Sequence, residues 1–239
     1  MDFEYQNYPK KINIGCGYDL KTGYLNIDLN EYHQPDLVAD CTQLKCLPSA
    51  YYEYILANDI LEHIPRLKTS TTLREWNRLL AHGGMLELQI PNVIGLLSLL
   101  KKPENQTLAK HEELLRCLFG TQCYNGDFHF IGFTEITIKN ALYEAGFTIK
   151  SLNSVDDWLF NVKAVKTGEP LHDGLIDIQE DDDFLFAAFM HLLKRKPDSG
   201  GFDHYKAQLS KGMEREAIVE NIKGSQEYIQ LNKTTQTQI

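Results

Sequence analysis

The pattern of apolar runs predicts an α/β chain. Its sheet is mostly parallel with an antiparallel hairpin at one edge, and a small all-α module follows. Three observations lead there. Short apolar runs that stop on an acid or a glycine alternate with crossover segments, some with helical spacing. The runs FTIKSLNSV and DWLFNVKAVK are joined by so short a turn, through Asp156 and Asp157, that they must pair antiparallel. After residue 182 strand-like runs cease and three helical stretches remain.

Taken in order, Lys11 to Ile14 reads as a strand that stops at Gly15-Cys16-Gly17. Glycine there admits positive φ and the close approach of a ligand. A second strand, Tyr24 to Ile27, ends on Asp28, where an acid can accept hydrogen bonds from both hydroxyls of a ribose. The third glycine of the dinucleotide fingerprint is missing, since Tyr18, Asp19 and Leu20 follow Gly17. The spacing from Gly17 to Asp28 is also too short for a full crossover helix, which disfavours a standard NAD unit. Asp36 to Asp40 is a third strand, and Tyr54 to Ala57 a fourth, stopping at Asn58-Asp59. Leu73, Trp76, Leu79 and Leu80 have helical spacing, with Ser70 or a neighbouring threonine as cap and His82-Gly83-Gly84 as terminator. MLELQIP is a buried strand. Two amphipathic helices follow, then the loop segment GDFHFIGFT and a helix opened by Thr134.

Composition narrows the function classes. The chain has 239 residues and a formal charge of −9, which argues against an extended nucleic-acid surface. Its five cysteines form no Cys-x-x-Cys pair. The start MDFEYQNYPK has no apolar core segment, so no signal peptide is expected, and no run approaches the ~20 residues of a membrane span. A reducing, cytoplasmic setting is the expectation. His63, His82, His111 and His129 show no metal-ligand spacing, and no metal is expected. Trp76 is expected in the core, and Arg74 and Arg78 as helix-face ion-pair partners.

INIGCG, GYLNIDL, VADCTQL, ILANDILEHIP and LREWNRLLAHGGMLELQIPN, in this order, resemble class I S-adenosylmethionine-dependent methyltransferases. The resemblance is to the type 11-like subgroup with a short first crossover. It covers residues 11–166 and implies a Rossmann-like seven-stranded sheet whose last strand is inserted antiparallel. It assigns Gly15, Cys16 and Gly17 to the cofactor's amino-acid portion and Asp28 to its ribose. Asp40 and Cys41 fall to the adenine, and Asn58 lies near the methionine part. The chain departs from the family at Asn13, where an acid is common, and at Asp59, where a histidine is. The implied activity is methyl transfer from S-adenosylmethionine, at oxygen of a small-molecule or glycan-precursor acceptor. His129, between Phe128 and Phe130, is the candidate base, with Glu62 and His63 as further catalytic candidates. A non-catalytic cofactor-binding or scaffolding protein in surface-glycan assembly is the alternative.

The expected organisation is a methyltransferase domain at 1–166, an acidic linker at 167–182, a three-helix module at 183–230 and a polar tail at 231–239. LLKRKPDSGGFDHYKAQLSKG with GSQEYI resembles a small bacterial helical domain of unknown function that recurs beside glycosyltransferases, through Arg195, Pro197, Asp198, Gly201, Tyr205, Leu209, Gly212, Ser225 and Glu227. That resemblance implies a glycan context. It makes a glycosyltransferase, or a second copy of the chain, the partner expected at this module.

Overall fold

The computed structural model describes residues 3–124, 126–168, 175, 176, 178 and 180–236. The chain forms two compact units, Met1–His172 and Asp173–Ile239. In the first, seven strands make one sheet: β1 (Lys11–Ile14), β2 (Leu25–Asp28), β3 (Leu37–Val38), β4 (Tyr52–Asn58), β5 (Leu80–Pro91), β6 (Phe147–Val155) and β7 (Leu159–Lys166). Their order is β3-β2-β1-β4-β5-β7-β6. The first five run parallel, and β7 runs antiparallel to both β5 and β6. This is the expected Rossmann-like sheet. The hairpin between β6 and β7 turns on Asp156 and Asp157, both at positive φ (50° and 65°), with Trp158 N donating to Val155 O across them at 3.2 Å.

Alternation decides the faces. Ile12 pairs with Leu25 and Ile55, and these side chains share one buried face with Leu86, Leu88 and Val162. Against that face pack Leu73, Trp76 and Leu79 of α1 (Arg66–Leu79) and Ile138 and Leu142 of a later helix, Glu135–Glu144. Thr134 opens the later helix as expected, accepting from Thr137 N. α1 follows Pro65 rather than a side-chain cap at Ser70. It ends at Leu79, so His82, Gly83 and Gly84 lie inside β5 and do not terminate the helix. Helical spacing extends through Leu80, but Leu80 pairs with Tyr52 in the sheet, and the pairing register shifts before Tyr54.

The first three crossovers contain no α-helix, so side chains hold their backbones. Between β1 and β2, Asn26 Oδ1 accepts from Lys21 N (2.8 Å) and from Asn13 Nδ2 (3.0 Å). Asn13 Nδ2 also reaches Asp19 O (2.9 Å), and Asp36 Oδ2 accepts from the Asn26 backbone and amide (2.8 and 2.9 Å). Between β3 and β4, α1 does this work. Trp76 Nε1 donates to Cys41 O, and Arg78 donates to Leu44 O and Leu47 O. Glu75 accepts from Leu44 N at 2.7 Å while pairing with Arg78 at 2.8 Å. Arg78 is therefore a loop anchor as well as a helix-face ion pair.

The segment between β5 and β6 adds α2 (Val93–Lys101), α3 (Leu108–Phe119) and a returning loop before the helix at Glu135–Glu144, α4. Asn92 caps α2, and Val93 N donates to Phe133 O at 3.1 Å, which closes the base of this insertion.

The second unit holds four helices among the described residues, not three: α5 (Asp181–Leu192), α6 (Ser199–Leu209), α7 (Arg215–Lys223) and α8 (Gln226–Gln236). The stretch read as one helix through residue 230 breaks at Gly224-Ser225, where Ser225 Oγ accepts from Tyr228 N and caps the next helix. Helix then continues to Gln236, through most of the expected tail. Of the expected linker, residues 169–174, 177 and 179 lie outside the described residues, and Asp181 and Asp182 belong to α5. Phe184, Leu185, Phe189, Ile218, Val219 and Ile222 form the core of this unit.

Replacing Asn26 by Ala leaves the Lys21 N–H without its acceptor and takes one of the two acceptors from the Asn13 amide, at about 1–3 kcal/mol for the buried group left unpaired. Urea denaturation is expected to show a lower midpoint with an unchanged slope. An unchanged midpoint would show that the network does not support the fold.

Candidate active site

The carboxyl ends of β3, β2, β1 and β4 lie side by side in that order. They bring the sequence-predicted residues to one rim: Asp40 after β3, Asp28 at the end of β2, Gly15–Gly17 after β1 and Asn58 at the end of β4. β1 and β4 flank the point where the strand order reverses, the usual ligand crevice of such sheets.

Asp28 organises the rim. Its Oδ2 accepts from Gly17 N and its Oδ1 from Asn30 N, both at 2.8 Å. His33 Nδ1 stands 2.9 Å from Oδ1, within ion-pair distance but poorly aligned for a hydrogen bond. Gly15 has φ +64°, and a Cβ there would stand 2.7–2.9 Å from the Ile60 side chain, so glycine lets the turn lie against the chain leaving β4. Beyond Gly17, by contrast, space is open where a Cβ would stand. Asp40 Oδ1 accepts from Thr42 N at 2.9 Å, and Cys41 O is taken by Trp76. Burial, with Asp28 adding, pushes the Cys16 thiol up to about 11. Burial, with Asp40 adding, pushes the Cys41 thiol up to about 12. Both are neutral thiols that fill space, not nucleophiles.

The three catalytic candidates meet at one place. A 3-10 turn, Leu61–His63, carries Glu62 and His63 just after β4. The loop after α3 brings His129 to them, with ring centroids of His63 and His129 4.7 Å apart and nearly perpendicular. Phe130 N donates to Glu62 O at 2.8 Å, and His63 Nδ1 lies 3.2 Å from Phe128 O. That carbonyl can only accept, so it fixes the proton of a neutral His63 on Nδ1 and leaves Nε2 with its lone pair. Gly120 shapes the loop, with φ 76° and ψ 167°, a region open in practice only to glycine. A Cβ there would stand 2.3 Å from Asp127 O. His129 N donates to Phe119 O, and Thr121 bonds Asp127 through its backbone and hydroxyl.

Burial dominates the electrostatics. It raises the Glu62 carboxyl to about 8, with neighbouring Asp59 adding to the rise. Burial lowers the His63 imidazole, and His129 lowers it further. Asp59, at the crowded rim, is raised by desolvation while His129 pulls it back. Desolvation likewise raises Tyr124, with Asp127 and Asp28 contributing, so the returning loop lies within the field of Asp28.

The sequence singled out Asp28 and the glycine turn but missed their supports. Asn30 and His33 follow Asp28 at spacings that carry no recognisable pattern. Asn13 hydrogen-bonds the turn and Asn26. Gly120 was visible only as one of several loop glycines.

Comparisons with known proteins are as follows. The family described as a domain of unknown function (DUF4214) matches residues 178–232. No curated protein matches the chain. Among solved structures, a protein from Pyrococcus horikoshii is similar at 14% identity over 68% of this chain and 84% of its own, with TM-score 0.49. An S-adenosylmethionine-dependent methyltransferase from Methanosarcina mazei is similar at 16% identity over 72% of this chain and 100% of its own, with TM-score 0.47. The 1,6-didemethyltoxoflavin-N1-methyltransferase of Burkholderia thailandensis, solved with S-adenosylhomocysteine, is similar at 16% identity over 69% of this chain and 74% of its own, with TM-score 0.46.

Gly120→Ala should cost about 1–3 kcal/mol from backbone strain, before the clash with Asp127 O is relieved by shifting the loop. Thermal denaturation should show the loss, and the His129 imidazole resonances should move while those near Asp28 stay. A variant as stable as the parent, with His129 unmoved, would contradict this account of the loop.

Proposed function

We propose that the first unit is an S-adenosylmethionine-dependent methyltransferase acting on a hydroxyl of a small molecule or glycan precursor. One observation carries the proposal. Asp40, Asp28, Gly15–Gly17 and Asn58 share a rim in a sheet ordered β3-β2-β1-β4-β5-β7-β6, with a protonatable cluster beside them. The residues fit the cofactor. Asp28 Oδ2 keeps a second lone pair for a ribose hydroxyl after accepting the Gly17 N–H, while Oδ1 faces both Asn30 N and His33 Nδ1. Gly17 leaves open space for the amino-acid portion. When bound, the cofactor supplies a sulfonium methyl group already activated toward a nucleophile.

The chain's own tasks are then to orient the acceptor, exclude water and take a proton from its hydroxyl. His129, with His63 and Glu62, is the polar group at the acceptor side. Phe128 and Phe130, stacked at 6.2 Å, supply apolar surface next to it. Tyr18, Tyr32 and Tyr124 are exposed, and their faces suit a sugar ring. The helical unit is proposed as a docking module, for which its resemblance to domains beside glycosyltransferases is the support.

Asp28→Ala is expected to weaken S-adenosylhomocysteine binding by about 1.5–3 kcal/mol, the value of a hydrogen bond to a charged group. Calorimetry would reject the proposal if the parent chain preferred NAD. His129→Ala is expected to leave that affinity unchanged and lower turnover by about 10²–10⁴-fold on a responsive acceptor. Normal turnover would remove His129 from the chemistry. A chain ended at residue 172 is expected to keep cofactor affinity; loss of all binding would make the helical unit part of the site.

A further inference from the structure

Glu62, His63 and His129 each offer one donor atom, and these atoms all lie within 4.8 Å of one another. Two neutral imidazoles and a carboxylate are a donor set for divalent zinc, iron or manganese. Sequence spacing conceals it, because Glu62 and His63 are adjacent on a 3-10 turn and His129 arrives on a loop after two helices. A second feature points the same way. Glu62 is only 1% exposed, yet its Oε2 has no hydrogen-bond partner among the described residues. A buried carboxyl oxygen without a partner is costly unless something reaches it, and a metal ion would take the place of the proton on this carboxyl.

From this geometry we infer that Glu62, His63 and His129 form a binding site for one divalent transition-metal ion. Donors held at about 2.0–2.2 Å from a tetrahedral metal stand about 3.4 Å apart, so rotamer adjustments of about 1 Å complete the site. The support around the donors is already in place. Phe128 O fixes the His63 tautomer that presents Nε2, the arrangement usual for a ligating histidine. The bond from Phe130 N to Glu62 O ties the loop bearing His129 to the turn bearing the other two. Three protein ligands leave coordination positions open, as in catalytic rather than structural sites. An acceptor oxygen could enter there. The binding itself does not depend on the methyl-transfer reading.

The test uses the full chain, stripped with chelator, without cofactor, titrated with zinc(II) or cobalt(II) alone. One equivalent should bind. The cobalt(II) spectrum should show d–d bands of nitrogen and oxygen ligation and no sulfur charge-transfer band. Glu62→Gln and His129→Ala should each weaken zinc binding at least tenfold, while His82→Ala, on an exposed position, should not. No binding, a sulfur band that places the metal on a cysteine, or equal affinity in all variants would overturn the site. The cobalt spectrum of the unaltered chain decides the matter even if a variant fails to fold. Cofactor affinity, measured separately through Asp28, distinguishes failure here from failure of the methyltransferase proposal.

Discussion

The first crossovers of this sheet are too short to be helices, and their buried backbone groups must still be satisfied. The Asn13–Asn26–Asp36 network meets that demand between β1 and β2. A helix would have satisfied its own carbonyls and amides; here side chains on adjacent strands do it instead. The register pair of Asn13 with Asn26 makes this possible, since it puts both amides on the same face. The glycine turn above them is then held in place, and Gly17 N can reach Asp28. The polar pair Asn13–Asn26 is therefore a condition for the geometry of the rim.

The same demand recurs between β3 and β4, where Trp76, Arg78 and Glu75 bond a loop that has no helix of its own. α1 consequently does two jobs. One face packs on the sheet, and a neighbouring face positions Asp40 and Cys41 at the rim. The insertion after β5 supplies the other wall. It meets the rim through the bond from Phe130 N to Glu62 O, the approach of His63 Nδ1 to Phe128 O and the packing of the two imidazoles. With burial withdrawing water, each charge here matters more than it would in solvent. Asp59 adds to the rise that burial causes at Glu62, and His129 acts on both Asp59 and His63.

The helical unit shows what a sequence signature can mean. Arg195 makes a two-point contact to Glu227 at 2.6 and 2.9 Å and a further one to Asp198 at 2.9 Å. Asp198 caps α6 through Gly201 N. Tyr205 sets its ring edge-on to Phe189, 6.0 Å away. These contacts, made by residues that carry the resemblance, tie the helices of this unit to one another.

The sequence by itself determined the local parts. Strand faces follow from alternation, the hairpin from a turn too short for any other pairing, and the shared rim from residues at strand ends, because parallel strands put those ends on one side. It misplaced the end of α1, since helical spacing continues through Leu80 while the pairing with Tyr52 draws that residue into the sheet. It read one helix where Gly224-Ser225 makes two, because amphipathic spacing survives a break between helices. Only the tertiary structure decided that Glu62, His63 and His129 meet. His129 stands more than sixty positions after Glu62 and His63, and no periodicity links a turn after β4 to a loop after α3. Their meeting depends on the path of that loop, set by backbone hydrogen bonds and by the conformation that Gly120 permits, neither of which has a spacing to read.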